Sequence, residues 1–351
     1  MSPACKSLEV KAKLMKSTPL RYNVCLSAAL VLLTTLSTMA RAQTCQTSSD
    51  MDAAVRTAIT NAGQRYFAMA TKNDTASLKQ NAIPGLASDF GGIEGLVKDR
   101  QPDLSGAQAT VKNVFLLDNE QGVPNVRAEF YCGVFGKNGQ TATSSAFYLD
   151  NLPPAKYAVV LLDANSPKGR TMFSEVLQQM GTDWKLGGLY IKPAQIAGHD
   201  SDWFLTQARQ YKSKGQTHNA WFFYLEARSL ISPVPFMSTL ATDKLYDESQ
   251  SLHPADLPGG GKTADLIAGT STFKLTAVFP ETVGSDLDLI VRYQSADVSN
   301  TNLAYQDNVN VIKALVMKYP EVREAFAAVV ARAGDANGRD YGTLLAMKDV
   351  K

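Results

Sequence analysis

With 351 residues, 45% of them hydrophobic and 19% charged, the chain is long enough to bury more than one core and too apolar to stay an extended polyelectrolyte. It has 35 basic and 33 acidic residues, but six of the basic and one of the acidic fall in residues 1–42, so residues 43–351 carry 29 and 32, a formal charge of −3. That balance, without a long basic stripe, argues against a nucleic-acid partner.

The chain opens with Lys6, Lys11, Lys13, Lys16 and Arg21, then an apolar run over 26–40 and the triplet Ala40-Arg41-Ala42. A basic end, a short apolar centre and small residues before a cut are the layout of a secretory signal peptide. The run falls short of the roughly 20 apolar residues a membrane helix requires. The expectation is an exported product beginning at Gln43, periplasmic or extracellular, with no stable transmembrane segment after cleavage. Two of the four cysteines, Cys45 and Cys132, lie beyond the cut. An oxidising compartment favours a bond between them, stabilising the fold by ~2–4 kcal/mol through restriction of the unfolded chain. The alternative is a buried free Cys132 and a loose Cys45.

Ser49 or Asp50 is placed to cap a helix over 51–70, in which Val55, Ala58, Ile59, Ala62, Tyr66, Phe67 and Ala70 recur at helical spacing. Asn73-Asp74 turns the chain, 76–81 reads as a short helix, Pro84-Gly85 interrupts it, and Ile93, Leu96 and Val97 mark another helical turn. The pattern then changes to sheet: 109–117, 126–135 and 141–149 about a Lys137-Asn-Gly139 turn, and 157–163. A helix is expected over 172–180, packing Phe173, Val176 and Leu177, before a last strand over 184–191.

The opening helix with Tyr66 and Asp74, the short helices, and the terminal Asp183-Trp184-Lys185-Leu186-Gly187-Gly188-Leu189-Tyr190-Ile191 together resemble an NTF2-like or SnoaL-like domain over residues 50–195. The resemblance implies an α+β cone: a curved antiparallel sheet wrapped against its leading helix. Such families use the space between sheet and helices for ligand binding, isomerisation, hydrolysis or assembly. Tyr66, Phe115, Tyr131, Tyr148, Trp184 and Tyr190 are the candidate lining, with apolar faces for an apolar ligand and tyrosine hydroxyls for its polar end. The same rings are also suited to plain core packing. Asp74 and Asp163 are candidate catalytic bases, provided they sit partly desolvated beside that opening.

Residues 200–248 read as a helical hairpin. Trp203, Phe204, Ala208 and Tyr211 mark one face, Gly215 breaks it, and Ala220, Trp221, Tyr224, Leu225, Ala227 and Leu230 mark a second before Pro233. The pair resembles one tetratricopeptide-type hairpin, although an array would repeat every 34 residues or so and a single unit is found. A brace or connector is the expected role, with a peptide groove as the sharper alternative. A Pro/Gly/Ser-rich linker over 249–269 leads to a small α+β module over 270–351. Its strands are placed at 272–279 and 287–293, with a helix over 302–319. A closing hairpin, 326–333 with 341–347, turns about Asp335-Ala-Asn-Gly338, unless helix continues through 321–331.

Catalytic and cofactor motifs are absent. Pro258-Gly-Gly-Gly-Lys-Thr263 fails as a phosphate loop because Asp256 stands at the first glycine position. His199, His218 and His253 have no metalloprotease spacing, and Asp200 and Asp202 beside His199 suit helix capping. Asp335-Ala-Asn-Gly-Arg-Asp340 lacks the terminal glutamate of a calcium loop and reads as a polar turn. No cofactor and no metal are expected. The reading is an exported, non-catalytic ligand-binding or protein-assembly protein, its partner an apolar small molecule or an envelope protein, with homo-oligomerisation left open. The alternatives are a small-molecule isomerase or hydrolase acting in the N-terminal cavity, and a structural envelope spacer.

Overall fold

The computed structural model describes residues 43–351 except 124, 125, 138 and 285; the export segment expected at 1–42 lies outside the described residues. Strand β1 (Thr44–Thr47) precedes helix α1 (Ala53–Thr71). The helix starts where the Asp52 carboxylate accepts from the N–H groups of Ala54 and Val55, leaving Asp50 to accept from Thr47 instead. Three shorter helices follow: α2 (Thr75–Gln80), α3 (Pro84–Ser88) and α4 (Gly91–Leu104).

Next come β2 (Gln108–Asp118), β3 (Ala128–Cys132), β4 (Ser145–Leu149), β5 (Lys156–Ser166), β6 (Gly169–Met180) and β7 (Asp183–Pro193). Five of these strands form an antiparallel sheet in the order β1-β2-β5-β6-β7. The helices cover one of its faces, where Ile59, Tyr66, Phe67 and Leu104 pack against Phe173, Leu177, Trp184 and Leu186.

Two expectations are overturned here. Residues 172–180 are strand, not helix: β6 is paired with β5 on one side and β7 on the other. Phe173 and Leu177 fit both periods, but Val176 belongs to the core on the opposite face, which only a two-residue alternation allows. The NTF2-like or SnoaL-like cone is also absent. The sheets are open and uncurled, and the five-stranded one ends on the unjoined edges β1 and β7. The hairpin that would have extended a cone leaves that sheet: β3 and β4 pair with β8 (Met237–Thr239) as a separate three-stranded sheet.

The small sheet packs Phe130 and Phe147 onto Phe115, Val159 and Leu161, on the face of the larger sheet away from the helices. The expected Cys45–Cys132 disulfide joins β1 to β3, with the Cα atoms 5.0 Å apart, so it clamps one sheet to the other.

Helices α5 (Ser201–Ser213) and α6 (Thr217–Ile231) turn about Gly215, whose φ of 76° favours glycine, and α7 (Leu240–Gln250) follows β8. The C-terminal strands are β9 (Ala264–Ala268), β10 (Ser271–Val283), β11 (Asp286–Gln294), β12 (Ala328–Gly334) and β13 (Asp340–Ala346), and α8 (Thr301–Lys318) crosses between β11 and β12. Their sheet runs β13-β12-β11-β10-β9, with β11 and β12 parallel and the other pairs antiparallel.

The tetratricopeptide resemblance is likewise overturned. The partner of the α5–α6 pair is not another helical repeat: Phe204, Phe222 and Phe223 share one core with Leu275, Val291, Leu315 and Phe326 of the C-terminal region. Within the stretch read as linker, prolines and glycines occupy 254–261, but 264–268 forms β9 with Leu266 buried. The open alternative over 321–331 resolves into a 3₁₀ turn, Pro320–Glu324, and then β12.

Candidate functional site

The six aromatic residues singled out from sequence do not converge. Tyr66 is fully buried on α1, with its hydroxyl 3.0 Å from the Asn81 carbonyl and 2.9 Å from that of Trp184, and burial raises its pKa. Trp184 belongs to the same core, whereas Phe115 lies on the opposite face of the sheet, edge-on to Phe147. Tyr190 packs edge-on against Phe236. Tyr131 is half exposed on the small sheet, near Tyr148, and its hydroxyl donates to Glu129, which pushes its pKa up to about 12. These rings pack separate layers.

The two candidate acids part company as well. Asp74 caps α2 by accepting from the Ser77 N–H, and its hydrogen bonds to Ser77 lower its pKa. Asp163 instead lines a cavity of about 350 Å³ between the large sheet and the α5–α6 pair. Strand alternation sets its floor: Leu161 and Asp163 on β5 stand opposite Ser174 and Met172 on β6. A bulge in β2 between Val111 and Asn113 takes Lys112 out of the pairing register, and Lys112 joins the wall. The far wall comes from Asp200, Ser201 and Asp202 at the start of α5, from Leu230 and Ile231 at the end of α6, and from Pro233 just past it. Ser201 Oγ donates to the Ala227 carbonyl at 2.8 Å and so ties the two helices together there.

The floor sets Asp163 and Ser174 beside Leu161 and Met172, and the far wall joins the polar start of α5 to the apolar Leu230, Ile231 and Pro233. Asp163 Oδ2 accepts from Arg170 Nη2 at 2.9 Å and lies 3.5 Å from Lys112 Nζ. Its other oxygen, Oδ1, is buried without a hydrogen-bond partner among the described residues, and so is Ser174 Oγ. A buried acceptor left unpaired costs about 1–3 kcal/mol, a cost that a donor from a bound molecule removes. Among the described residues no hydrogen bond joins Ser174 to a base.

Ser174, Arg170 and Lys112 escape sequence reasoning because they surround Asp163 only through strand pairing. Glu175 escapes it too. It is fully buried among the apolar side chains between β6 and α1, both of its oxygens lack partners among the described residues, and burial raises its pKa well above the ordinary carboxyl value.

The histidines serve as ties. His199 stacks on Trp203 with ring centres 3.7 Å apart while Asp200 caps α5, and His218 lies 2.7 Å from Glu321 and 3.0 Å from Asp256. The Asp335 turn is closed by Arg339, which bridges Asp335 and Asp297. Among the described residues no group of three His, Cys, Asp or Glu side chains is placed to hold a metal, and no helix is long and apolar enough to cross a membrane.

No family model matches the chain, and neither a curated protein nor a solved structure matches it.

Proposed function

We propose that this chain is an exported binding protein that holds a small ligand, bearing hydroxyl or amide groups, in the Asp163 cavity. The observation that carries the reading is the pair of buried oxygens without partners among the described residues, Asp163 Oδ1 and Ser174 Oγ, on the floor of a cavity of about 350 Å³. A ligand hydroxyl donates to a carboxylate oxygen while it accepts from a neighbouring cation, and Lys112 and Arg170 supply that cation beside Asp163. Met172, Leu230, Ile231 and Pro233 offer apolar surface to the ligand's carbon frame. The size lies at the lower end of the ~300–1,000 Å³ common for small-molecule sites.

Binding accounts for these groups better than turnover. Asp163 is engaged by two cations, and among the described residues no hydrogen-bonded base stands beside Ser174 to activate it as a nucleophile. The Cys45–Cys132 bond supports the exported part of the reading, since such bonds persist in oxidising compartments.

The test is a thermal-shift and calorimetric screen of the purified chain against sugars, polyols and small amides, repeated with Ser174→Ala and Asp163→Asn. The expected result is a saturable ligand whose affinity falls about tenfold or more in either variant, the loss of roughly one good hydrogen bond. Absence of any saturable ligand, or a ligand indifferent to both substitutions, refutes the assignment.

A further inference from the structure

A second site lies in the C-terminal region, independent of the Asp163 cavity. Among the described residues, strand β9 is the edge of its sheet, with β10 as its one neighbour. The two are joined by the two-residue turn Gly269-Thr270, which pairs Ala268 with Ser271. In such a hairpin the turn-flanking pair exchanges backbone hydrogen bonds, and alternation then directs the N–H and C=O groups of Ile267 and Asp265 away from β10, toward the open edge. Edge strands of this kind are ordinarily covered or blunted by charge. Here Asp265 is engaged by Lys274 at 3.3 Å, and Ile267 is 72% exposed.

Beside this edge runs a groove of about 630 Å³, walled by β9 and by Asn310, Lys313, Ala314, Met317 and Lys318 of α8. Met317 is 82% exposed at its rim. An open strand edge beside a groove accepts an extended segment as an additional strand: the backbone supplies affinity, and alternate side chains supply selectivity.

We propose that the β9–α8 groove captures an extended acidic segment of a partner protein by adding it as a strand to β9. Charge selects this occupant. With Asp265 taken by Lys274 and Lys318 lying 3.9 Å from Asp256, Lys313 is the ionisable side chain of the wall without an ion pair among the described residues. One face of the added strand meets these lysines and Met317; the other runs beside Ile267. Edge-to-edge pairing with a second copy of the chain would instead bring the lysines of both copies to one cleft, a like-charge arrangement that opposes it.

The probe is an end-blocked, fluorescein-labelled seven-residue peptide alternating valine and glutamate, titrated into the full chain and followed by anisotropy. Saturable binding is expected, weaker by about tenfold or more when lysine replaces glutamate or when alternate peptide nitrogens are methylated. Ile267→Pro removes an outward-facing N–H that the β9–β10 ladder does not use, a position where an edge strand tolerates proline. It should abolish binding, and Lys313→Glu should weaken it. Hydrogen exchange on the unaltered chain supplies a readout free of folding defects: the peptide should slow exchange of the Asp265 and Ile267 amides. No saturation up to millimolar peptide, binding that survives Ile267→Pro or backbone methylation, or unchanged exchange at those amides overturns the proposal. A concentration-dependent dimer that Ile267→Pro dissolves overturns it in favour of self-association.

Discussion

Replacing Glu175 by methionine should stabilise this protein, and increasingly so as pH rises. The carboxyl group is fully buried between β6 and α1, and neither oxygen has a partner among the described residues. Methionine nearly conserves the volume and removes the unpaired polar atoms, which cost about 1–3 kcal/mol. The pH term has a definite sign. Burial raises the folded-state pKa well above the ordinary 4.5, so below that value both states hold the proton and ionisation exacts no penalty. Above it the unfolded chain releases the proton and the folded chain keeps it. Stability then falls by about 1.4 kcal/mol per pH unit for as long as the buried group stays neutral. Subtracting the wild-type curve from the Glu175→Met curve cancels most other titrations. Urea unfolding of both proteins at pH 4, 5, 6 and 7 should therefore give a difference that is small and positive at pH 4 and widens steadily. Fluorescence is a suitable probe because Trp184 belongs to the same core. A difference that stays flat with pH, or a methionine variant that is less stable throughout, would show that the carboxyl is paired or solvated and refute the reasoning.

The same packing makes Gly63→Ala costly. A Cβ there meets Glu175 Oε2 at 2.7 Å and Val160 Cγ1 at 2.8 Å. The clash should therefore outweigh the ~1 kcal/mol helical advantage of alanine and destabilise by about 1–3 kcal/mol, as measured by urea midpoint. Glu226 on α6 is pushed up to about 7 by burial, reinforced by Glu281 and opposed by Lys192. Its contribution is present below pH 4.5 and lost as pH rises toward 7, so Glu226→Gln should flatten the stability profile over that window by up to about 3 kcal/mol. Substituting both Cys45 and Cys132 by serine should cost ~2–4 kcal/mol, and a reductant should cause a matching loss in the unsubstituted chain alone. Asn308 reaches Tyr293, Thr343 Oγ1 and the Tyr341 carbonyl from a buried position on α8. Asn308→Leu should consequently lower the unfolding free energy by about 2–3 kcal/mol, since it strands several partners at once.

What could be read from the residues was local. The α1 stripe from Val55 to Ala70 and the cysteine pair depend on spacing and compartment alone, and both are present in the fold. The helix expected at 172–180 misled because Phe173 and Leu177 are four apart, a spacing shared by one helical face and one strand face. Nothing in the sequence marks Glu175, between them, as buried, since an acid in an apolar run ordinarily lies on the wet side; the close approach allowed by Gly63 accommodates it beneath α1. The NTF2-like resemblance rested on element order, and order does not specify which strands pair. The segment containing β3 and β4 joins β8, nearly a hundred residues further on, rather than curling the first sheet.

The candidate site follows from that difference. Because the β3–β4 hairpin covers only part of the second face of the large sheet, the stretch of that face carrying Asp163, Met172 and Ser174 is left for α5 and α6 to approach. Those helices are committed to the C-terminal core through Phe204, Phe222 and Phe223, so they reach the sheet with the polar start of α5 and the end of α6 rather than with an apolar stripe. Two surfaces optimised for other partners do not interdigitate fully, and the gap between them retains unpaired oxygens that a single close-packed core would exclude. Asp163 was legible as an acid in an apolar strand. The cavity was not, because it arises from the meeting of two layers whose residues lie far apart in sequence.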